Sequence, residues 1–317
     1  MTEDYTNFYK NHLEATLTEL DELRKKIIKN RIALTVIAAL FILVHSLLIV
    51  VEIIKYPLTI FISLFALPLI GYFVYRTFFD KMHDIEDAIQ ELLVKEVLWS
   101  SINPIMDKES LFIAYTDFKE SQLYDLQPEH YTGRYYMKGG KIMTIGSYID
   151  AGIEDVEGEW QQVFKGYYLM CEEKFIIQGI TIIKPDDTLS RLGILGRKLK
   201  ETSFNGYEYL QMSNKEFSKK FAVYSNNVIE SYKLLTDVVV DKIMTIEEYG
   251  FGIGITFTPK RIYATIEFAE DTFAFNHWKT LLNPEQYSNM YLASQATVQL
   301  IREIGLAYTK KEVKVLM

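Results

Sequence analysis

Residues 32–51 read IALTVIAALFILVHSLLIVV and contain no Asp, Glu, Lys or Arg. A helix of this length spans about 30 Å, the thickness of the hydrocarbon core of a bilayer. A second uncharged run, residues 57–75, follows after the short bridge 52–56. The first run is too long and begins too late for a secretory signal peptide. Two such adjacent runs predict a pair of transmembrane helices, in preference to two buried helices of a soluble protein.

The cations that flank the two runs predict the orientation of this hairpin. The bridge carries only Lys55, offset by Glu52, whereas the outer ends are rich in Lys and Arg. Because cytoplasmic flanks of membrane helices hold the excess of cations, we expect both termini in the cytoplasm and the protein in the cell inner membrane. The cations at the outer ends are Arg24, Lys25, Lys26, Lys29, Arg31, Arg76 and Lys81.

One histidine, His45, lies within the first predicted span. An ionisable side chain at this depth is a functional candidate, because placing it in lipid is costly. Two other interpretations stay open here: a neutral imidazole that is hydrogen-bonded to a neighbouring helix, and a position close to the outer interface.

Each membrane run continues into an amphipathic helical pattern on the cytoplasmic side. In residues 5–31 the stripe runs from Leu13 to Ile27, and in residues 80–99 it runs from Ile85 to Val97. Because the hairpin starts both arms side by side, we expect them to pair as an antiparallel coiled-coil stalk of about 30 Å. The alternative is that the second stripe packs on the domain that follows.

These patterns divide the chain into four parts. They are a cytoplasmic arm (1–31), the transmembrane hairpin (32–78), a second arm (79–100) and a cytoplasmic globular domain (101–317). The boundary of the last domain follows from Asn103-Pro104, because a residue before proline avoids the helical conformation.

The globular domain alternates strand and helix signals. Helices should begin at Asn227, Thr236 and Asn283, and the last of them should end at Gly305. Strands in hairpins mixed with helices predict the α+β class, with a domain rich in antiparallel hairpins. The predicted strand pairs are Gly133–Met137 with Ile142–Tyr148, Phe164–Cys171 with Phe175–Ile183, and Phe251–Phe257 with Ile262–Phe268.

Charge and cysteine content exclude some classes of function. The net charge of the chain is −8, and residues 100–317 hold 24 Lys and Arg against 29 Asp and Glu. Binding of nucleic acid without sequence preference requires a basic surface, so no nucleic-acid partner is expected. Cys171 is the only cysteine, which rules out a disulfide within the chain and suits a reducing compartment.

No spacing of residues in the chain indicates a known catalytic, cofactor or metal site. A zinc site formed by His130, Cys171 and His277 is an alternative to Cys171 as a small buried hydrophobic residue. The glycines of 250–254 alternate within a predicted strand, which favours close packing by a helix over a phosphate loop.

Two groups of acidic residues are candidate sites. The group Asp150 to Glu159 (Asp150, Glu154, Asp155, Glu157, Glu159) favours a solvated loop over weak binding of a divalent cation. The group Glu267, Glu270 and Asp271 follows a predicted strand but has no partner base nearby in the sequence, which disfavours a catalytic role.

The segment 189–200 mixes large aliphatic residues with cations. Such a composition can lie on an anionic membrane surface, where each cation contributes about 1 kcal/mol. The alternative is an ordinary basic loop between a strand and a helix. The residues predicted to contact the membrane surface are Arg191, Arg197, Lys198 and Lys200.

Two stretches carry a family resemblance: VFKGYYLMCEEKFIIQGITIIKPD (163–186) and NKEFSKKFAVYSNNVIESYKLLT (214–236). They resemble an uncharacterised bacterial family of two-helix membrane proteins that is catalogued only as a domain of unknown function. The resemblance implies the same architecture and brings no activity. The matching residues are Phe164, Gly166, Pro185, Asp186, Phe217, Phe221, Val223, Tyr224, Ser225, Leu234, Leu235 and Thr236.

Together these patterns favour a non-enzymatic, membrane-tethered cytoplasmic domain that binds another protein and acts as an adaptor or scaffold. The expected partners are the lipid bilayer and either a protein or further copies of the chain. The alternative is a membrane-bound enzyme or small-ligand sensor whose site is formed by residues distant in sequence. A deep pocket lined by polar groups would favour this alternative, and a broad exposed apolar patch would favour a binding protein.

Overall fold

The computed structural model describes residues 2–50, 57–124, 128–154, 160–173, 175–186, 204–269 and 272–309. For residues 41–42, 45–50, 57–68, 70, 74 and 160 the description covers the backbone only. The chain forms two compact units. The helical unit comprises the described residues within Thr6–Leu93 and Phe273–Pro284, and the sheet unit comprises those within Met1–Tyr5, Val94–Thr272 and Glu285–Met317.

Eight α-helices lie within the described residues, and a π-helical turn, Tyr9–Leu13, joins the first two. Two of them are long and follow each other in the N-terminal third of the chain. The helices are α1 (Glu3–Phe8), α2 (Glu14–Val50), α3 (Pro57–Ile102), α4 (Tyr115–Glu120), α5 (Lys215–Lys220), α6 (Val228–Leu234), α7 (Asp237–Glu247) and α8 (Glu285–Tyr308).

The strands of the sheet unit form one antiparallel sheet, which confirms the predicted α+β class. Nine strands are seen in the described residues, in the order β1-β2-β3-β4-β9-β8-β5-β7-β6. The strands are β1 (Pro104–Lys108), β2 (His130–Gly139), β3 (Thr144–Glu154), β4 (Trp160–Glu172), β5 (Thr181–Pro185), β6 (Glu208–Tyr209), β7 (Phe221–Ser225), β8 (Gly252–Phe257) and β9 (Arg261–Glu267).

Two of the three predicted strand pairs are confirmed. β2 pairs with β3 around the turn at Gly139-Gly140, and β8 pairs with β9 around the turn at Pro259. The predicted pairing of Phe164–Cys171 with Phe175–Ile183 is wrong. β4 pairs with β3 and β9, whereas β5 pairs with β7 and β8. β3 and β4 are consecutive strands, whereas β9 for β4 and both β7 and β8 for β5 are distant in sequence, so a signal for a local hairpin does not reveal these three pairings.

The sheet is covered on both faces. Adjacent residues of a strand point to opposite faces. A Cβ atom on Gly146 would lie 2.4 Å from Ile102 Cδ1, so the end of α3 packs closely on one face. On the other face, Ser147 Oγ accepts a hydrogen bond of 3.0 Å from the N–H of Ile113, just before α4. The core on this second face comprises Ile113, Phe118, Ile145, Ile149, Ala151, Phe164, Tyr168, Met170 and Tyr263.

The helix signals were accurate at the N-terminal ends. Asn227 Oδ1 accepts a hydrogen bond from the N–H of Glu230 and caps α6, as its spacing predicts. α8 begins directly after Pro284, as expected. Its predicted end is wrong, because α8 continues through Gly305 to Tyr308. A Cβ atom at Gly305 would lie 3.1 Å from Ile142 Cγ2, so this glycine lies within the helix and lets α8 pack closely against Ile142.

The helical unit contains α2, α3 up to Leu93, and the irregular segment Phe273–Pro284, here called the connecting segment. Seven large apolar side chains of α2 between Ile32 and Val44 are exposed, with 47% to 62% of each accessible; the side chains of residues 41 and 42 lie outside the description. No helix within the described residues is long and apolar enough to cross a membrane. Much of the predicted hairpin, including the bridge 52–56 and the side chain of His45, lies outside the described residues.

The structure leaves the predicted stalk untested. α2 and α3 contact each other where Arg31 lies over the ring of Phe78, a residue that precedes the predicted second arm. The last turns of α3 follow the alternative instead, because they pack within the sheet unit: Val94 accepts a hydrogen bond from the hydroxyl of Tyr167. Pairing of the arms along their whole length stays a prediction.

Candidate functional site

Asp21 on α2 binds the connecting segment through its buried carboxylate. The carboxylate accepts hydrogen bonds from the N–H of Leu281 (3.0 Å) and from the hydroxyl of Thr280 (3.3 Å). Arg24 pairs with the same carboxylate at 2.9 Å, and Lys25 pairs with it at 2.8 Å. Only 1% of the Asp21 side chain and 5% of the Arg24 side chain are exposed. We call these five residues the Asp21 cluster.

The electrostatics of the Asp21 cluster favour the ionised carboxylate. Burial of Asp21 acts to raise its pKa, because a desolvated carboxylate prefers to be neutral. Hydrogen bonds from Lys25, from the Leu281 backbone and from Arg24 outweigh burial and lower the pKa below its ordinary value. The cluster is therefore fully charged at neutral pH and fixes the connecting segment on α2.

The connecting segment also contacts α3. His277 Nε2 lies 3.2 Å from Glu86 Oε1, while the carbonyl of His277 accepts a hydrogen bond of 2.6 Å from Arg24 Nη1. The His277 ring makes edge contacts with Phe78, with ring centroids 6.3 Å apart. One short irregular segment thus ties both long helices of the unit together.

A cleft between α2 and α3 lies next to this segment. Its volume is about 280 Å³. Arg31 lies at one wall, with Cζ 4.0 Å from the centroid of Phe78 and 5.9 Å from the centroids of Phe79 and Trp278. The lining residues are Ile27, Asn30, Arg31, Leu34, Phe73, Thr77, Phe78 and Lys81.

The lining of the cleft suits binding better than proton transfer. None of the described lining residues carries a carboxylate, an imidazole or a thiol. Arg31 and Lys81 provide two cations, Asn30 provides an amide and Thr77 a hydroxyl, and the remaining walls are apolar. We take this cleft as the candidate functional site of the helical unit.

The sheet unit has a charged cluster of a different kind around Arg261. Its guanidinium pairs with Asp117 at 2.6 Å, Glu120 at 2.9 Å and Glu172 at 2.7 Å. Nearby, burial is the main reason that the pKa of Tyr263 rises to about 12. The acids come from α4 and β4 and the arginine from β9, so the cluster joins α4 to the sheet and stabilises the fold.

Cys171 lies in the core of the sheet unit. Burial raises the pKa of its thiol to about 11, and Sγ lies 3.5 Å from Thr144 Oγ1. His130 begins β2 and is exposed. Across the part of the chain that the structure describes, no group of three or more His, Cys, Asp or Glu is arranged to hold a metal ion. The zinc alternative for His130, Cys171 and His277 therefore finds no support.

Among the glycines of 250–254, Gly254 has a packing role, whereas Gly250 has no atom within 4 Å of an added Cβ and adopts a positive φ of 88°. A Cβ atom on Gly254 would lie 2.7 Å from Thr265 Oγ1 and 3.0 Å from Leu123 Cδ2. The close neighbour across the face is Leu123, in the turn after α4, and not the helix that the sequence suggested.

The prediction that the acidic group 150–159 forms a loop is wrong for its first two residues. Asp150 and Glu154 lie within β3, and burial raises the pKa of Asp150. Asp155, Glu157 and Glu159 lie outside the described residues, as do Glu270 and Asp271. Glu267 lies in β9, where it pairs with Gly166 on one side and Gly252 on the other.

The predicted membrane-surface segment also lies outside the described residues, so the roles of Arg191, Arg197, Lys198 and Lys200 stay predictions. Sequence reasoning missed the Asp21 cluster and the cleft. One signal for the cluster was available: Arg24 and Lys25 follow Asp21 at the spacings that place side chains side by side on a helix. The connecting segment has no periodicity and gave no signal.

Comparison with curated proteins gives no match. Among solved structures, the crystal structure of the mycobacterial trehalose monomycolate transport factor A, TtfA, is similar over 53% of this chain and 80% of that one. Its sequence identity is 12% and its TM-score 0.27, a likeness too distant to carry an argument. Residues 162–306 match the family model described as "Protein of unknown function (DUF3137)", which confirms the expected resemblance to a family catalogued only as a domain of unknown function.

Proposed function

We propose that this chain is a membrane-anchored binding protein, in which the apolar part of the helical unit enters the bilayer and the sheet unit binds a partner in the cytoplasm. The observation that carries the proposal is the exposure of large aliphatic side chains on α2. These are Ile32, Leu34, Val36, Ile37, Leu40, Leu43 and Val44.

These positions cover about 200° of the helix circumference, because successive residues of an α-helix are about 100° apart. A helix of a water-soluble protein turns its apolar stripe toward the core, whereas the side chains of this wide apolar surface are exposed and would be covered by protein or by lipid. On α3 the exposed residues Leu69, Tyr72, Phe73 and Tyr75 continue the pattern. The proposal rests on these exposed side chains and not on a complete described span.

The direction of insertion follows from the cations. Arg31 and Lys81 stand at the same end of the apolar surface, which is the arrangement of residues at a cytoplasmic interface. Both termini would then lie in the cytoplasm. A reporter that is active only outside the cytoplasm, fused after Met317, should be silent, and strong activity would overturn the topology.

The sheet unit also exposes large apolar residues. Ile229 is 72% exposed on α6 and Val238 is 65% exposed on α7, while Ile105 is 80% exposed on the edge strand β1. Single exposed apolar residues are normal on protein surfaces, so a partner-binding role requires that some of them form one contiguous patch. Its charged cluster at Arg261 is saturated by internal pairing, which favours binding over proton transfer.

Membrane fractionation tests the anchor. The full chain should sediment with membranes and resist extraction by high salt and by alkaline carbonate. The double substitution Ile37→Asp with Leu40→Asp should release much of it, because each apolar-to-Asp change at the centre of a membrane helix costs about 3 kcal/mol. The matched control is Ile229→Asp with Val238→Asp, which changes two residues of the sheet unit that are at least as exposed as Ile37 and Leu40. A wild-type chain in the soluble fraction would overturn the proposal.

A small-ligand sensor is the second candidate, and one observation favours it. The cleft between α2 and α3 has a volume of about 280 Å³ and polar groups that converge on it. Drug-sized ligands occupy pockets of about 300–1,000 Å³, so this cleft would hold a small group or part of a larger ligand.

A further inference from the structure

The two cations of the cleft, the half-buried Arg31 and the exposed Lys81, differ from the paired arginines of the protein. Arg24 pairs with Asp21 and Arg261 pairs with three acids. Within the described residues, no carboxylate pairs with Arg31 or with Lys81. Two unpaired cations on opposite walls of one cleft form a site for an anion from outside the chain, because charges of this kind are stabilised by a counter-charge.

Arg31 is held ready for such an anion. Its guanidinium stacks on Phe78, which is only 5% exposed, and lies near the rings of Phe79 and Trp278. Stacking on an aromatic face leaves the N–H groups in the plane of the guanidinium free to donate. A pre-oriented arginine loses less conformational entropy on binding a phosphate than a mobile one.

The cleft is polar at one end and apolar at the other. On α2, Leu34 lies one turn beyond Arg31 toward the apolar run, and on α3, Phe73 lies one turn before Thr77 toward the same run. Leu34 is 47% exposed and Phe73 is 59% exposed, so both apolar residues offer accessible surface. The cations therefore lie where a lipid has its headgroup, and the apolar residues lie where the lipid has its acyl chain.

We propose that this cleft binds the phosphate headgroup of an anionic phospholipid, with Arg31 and Lys81 on the phosphate and Leu34 and Phe73 along the first part of an acyl chain. The volume of about 280 Å³ accommodates the headgroup and leaves the remaining chain in the bilayer. The inference rests on the proposed membrane anchor, since the lipid would enter the cleft from the inner leaflet.

The test uses the purified full chain in a neutral detergent, titrated with short-chain phosphatidylglycerol and followed by native mass spectrometry. We expect saturable binding of one lipid. The variant Arg31→Gln with Lys81→Gln should bind about a hundredfold more weakly, the loss expected for two hydrogen bonds to a charged group. The matched control is Lys26→Gln with Lys29→Gln, which removes two cations of the same flank of α2 that do not line the cleft, and it should bind like the wild type.

Further arms separate the sources of phosphate and guard against misfolding. Inorganic phosphate should not displace the lipid, and short-chain phosphatidylcholine should bind more weakly than phosphatidylglycerol. Lys81→Gln alone removes no hydrogen bond or ion pair within the described residues, and it should weaken binding about tenfold even if the Arg31 variant fails to fold.

Equal lipid binding by the wild type and both cleft variants, equal binding of the two lipids, or displacement by phosphate alone would overturn the inference. Because the titration is made in detergent, its failure is distinguishable from failure of the membrane anchor, which fractionation measures separately.

Discussion

The helical unit and the sheet unit treat their charges differently. In the sheet unit, Arg302 is half-buried and donates to Thr144 Oγ1 and to the carbonyls of Ile102 and Gly139. The Arg261 guanidinium likewise forms ion pairs with three acidic side chains. In the helical unit, Arg24 is paired, but Arg31 and Lys81 stand at an open cleft without an acid among the described residues. In the sheet unit these charged side chains stabilise the fold, whereas in the helical unit two of the cations line an open cleft.

The two units also differ in where their apolar residues are exposed. The strands β7, β8 and β9 are buried along almost their whole length, as the central strands of a covered sheet must be. In the helical unit, the large aliphatic side chains of α2 that the structure describes between Ile32 and Val44 are about half exposed. The difference indicates that the sheet unit buries its apolar residues in its own core, whereas the helical unit exposes an apolar surface that an apolar environment would have to cover.

The largest effect is expected at Asp21. Asp21→Ala leaves the buried Arg24 without its partner, and breaking a buried ion pair costs about 3–5 kcal/mol. The loss should be local to the helical unit. Hydrogen exchange on the full chain measures it: the amide of Leu281, which donates to Asp21, should lose protection, while amides of β8 and β9 keep theirs.

Asp84→Ala is the matched control for Asp21→Ala. Asp84 is an exposed acid on α3, so its removal should change protection by less than about 0.5 kcal/mol. Equal loss of protection in both variants, or in neither, would show that the Asp21 cluster does not hold the connecting segment.

Acidification should weaken the same cluster to a smaller extent, because a protonated Asp21 keeps part of its hydrogen bonding. The pKa of Asp21 is lower in the folded protein than in the unfolded chain, so its contribution is complete above about pH 3.9 and is lost as pH falls through the folded value. Protection of the Leu281 amide, corrected for the intrinsic exchange rate, should fall in acid in the wild type. Asp21→Asn, which cannot titrate, should lack this fall, and an identical pH profile would contradict the assignment.

Gly166→Ala should destabilise the sheet unit. A Cβ atom at Gly166 would lie 1.9 Å from the carbonyl oxygen of Ile266, so β4 and β9 must separate locally. Overpacking of this kind costs about 1–3 kcal/mol. Gly252→Ala is the control on the other side of β9, where the nearest atom, Glu267 Cβ, lies at 3.3 Å. Chemical denaturation of the full chain should separate the two variants, and similar midpoints would refute the close approach.

The features of the fold that the sequence predicted are those whose interacting residues lie close together in the chain. The β8–β9 hairpin and the start of α8 depend on turn and capping residues close in the chain, and both were predicted. The partners of β5 were missed, because β7 and β8 follow only after long intervening segments. The Asp21 cluster was missed for the same reason, since Leu281 is 260 residues away from Asp21. Neither side of that contact has a pattern that points to the other.

The smallest effect is expected at Ile229, and it sharpens the comparison between the units. Ile229 is 72% exposed, and Ile37 in the helical unit is 62% exposed, so exposure alone would rank them alike. Ile229 lies in the first turn of α6, after the cap Asn227, where a negative side chain is favoured by the helix dipole by about 0.3–1 kcal/mol. This gain offsets the lower helix propensity of Asp. The substitution also removes little buried apolar surface, because most of the Ile229 side chain is exposed. Ile229→Asp should therefore change the free energy of unfolding by less than about 0.5 kcal/mol and leave membrane sedimentation unchanged. Ile37→Asp should impair sedimentation while leaving the β8 and β9 amides protected. If the two substitutions behave alike in both measurements, the apolar surface of the helical unit is not a membrane surface.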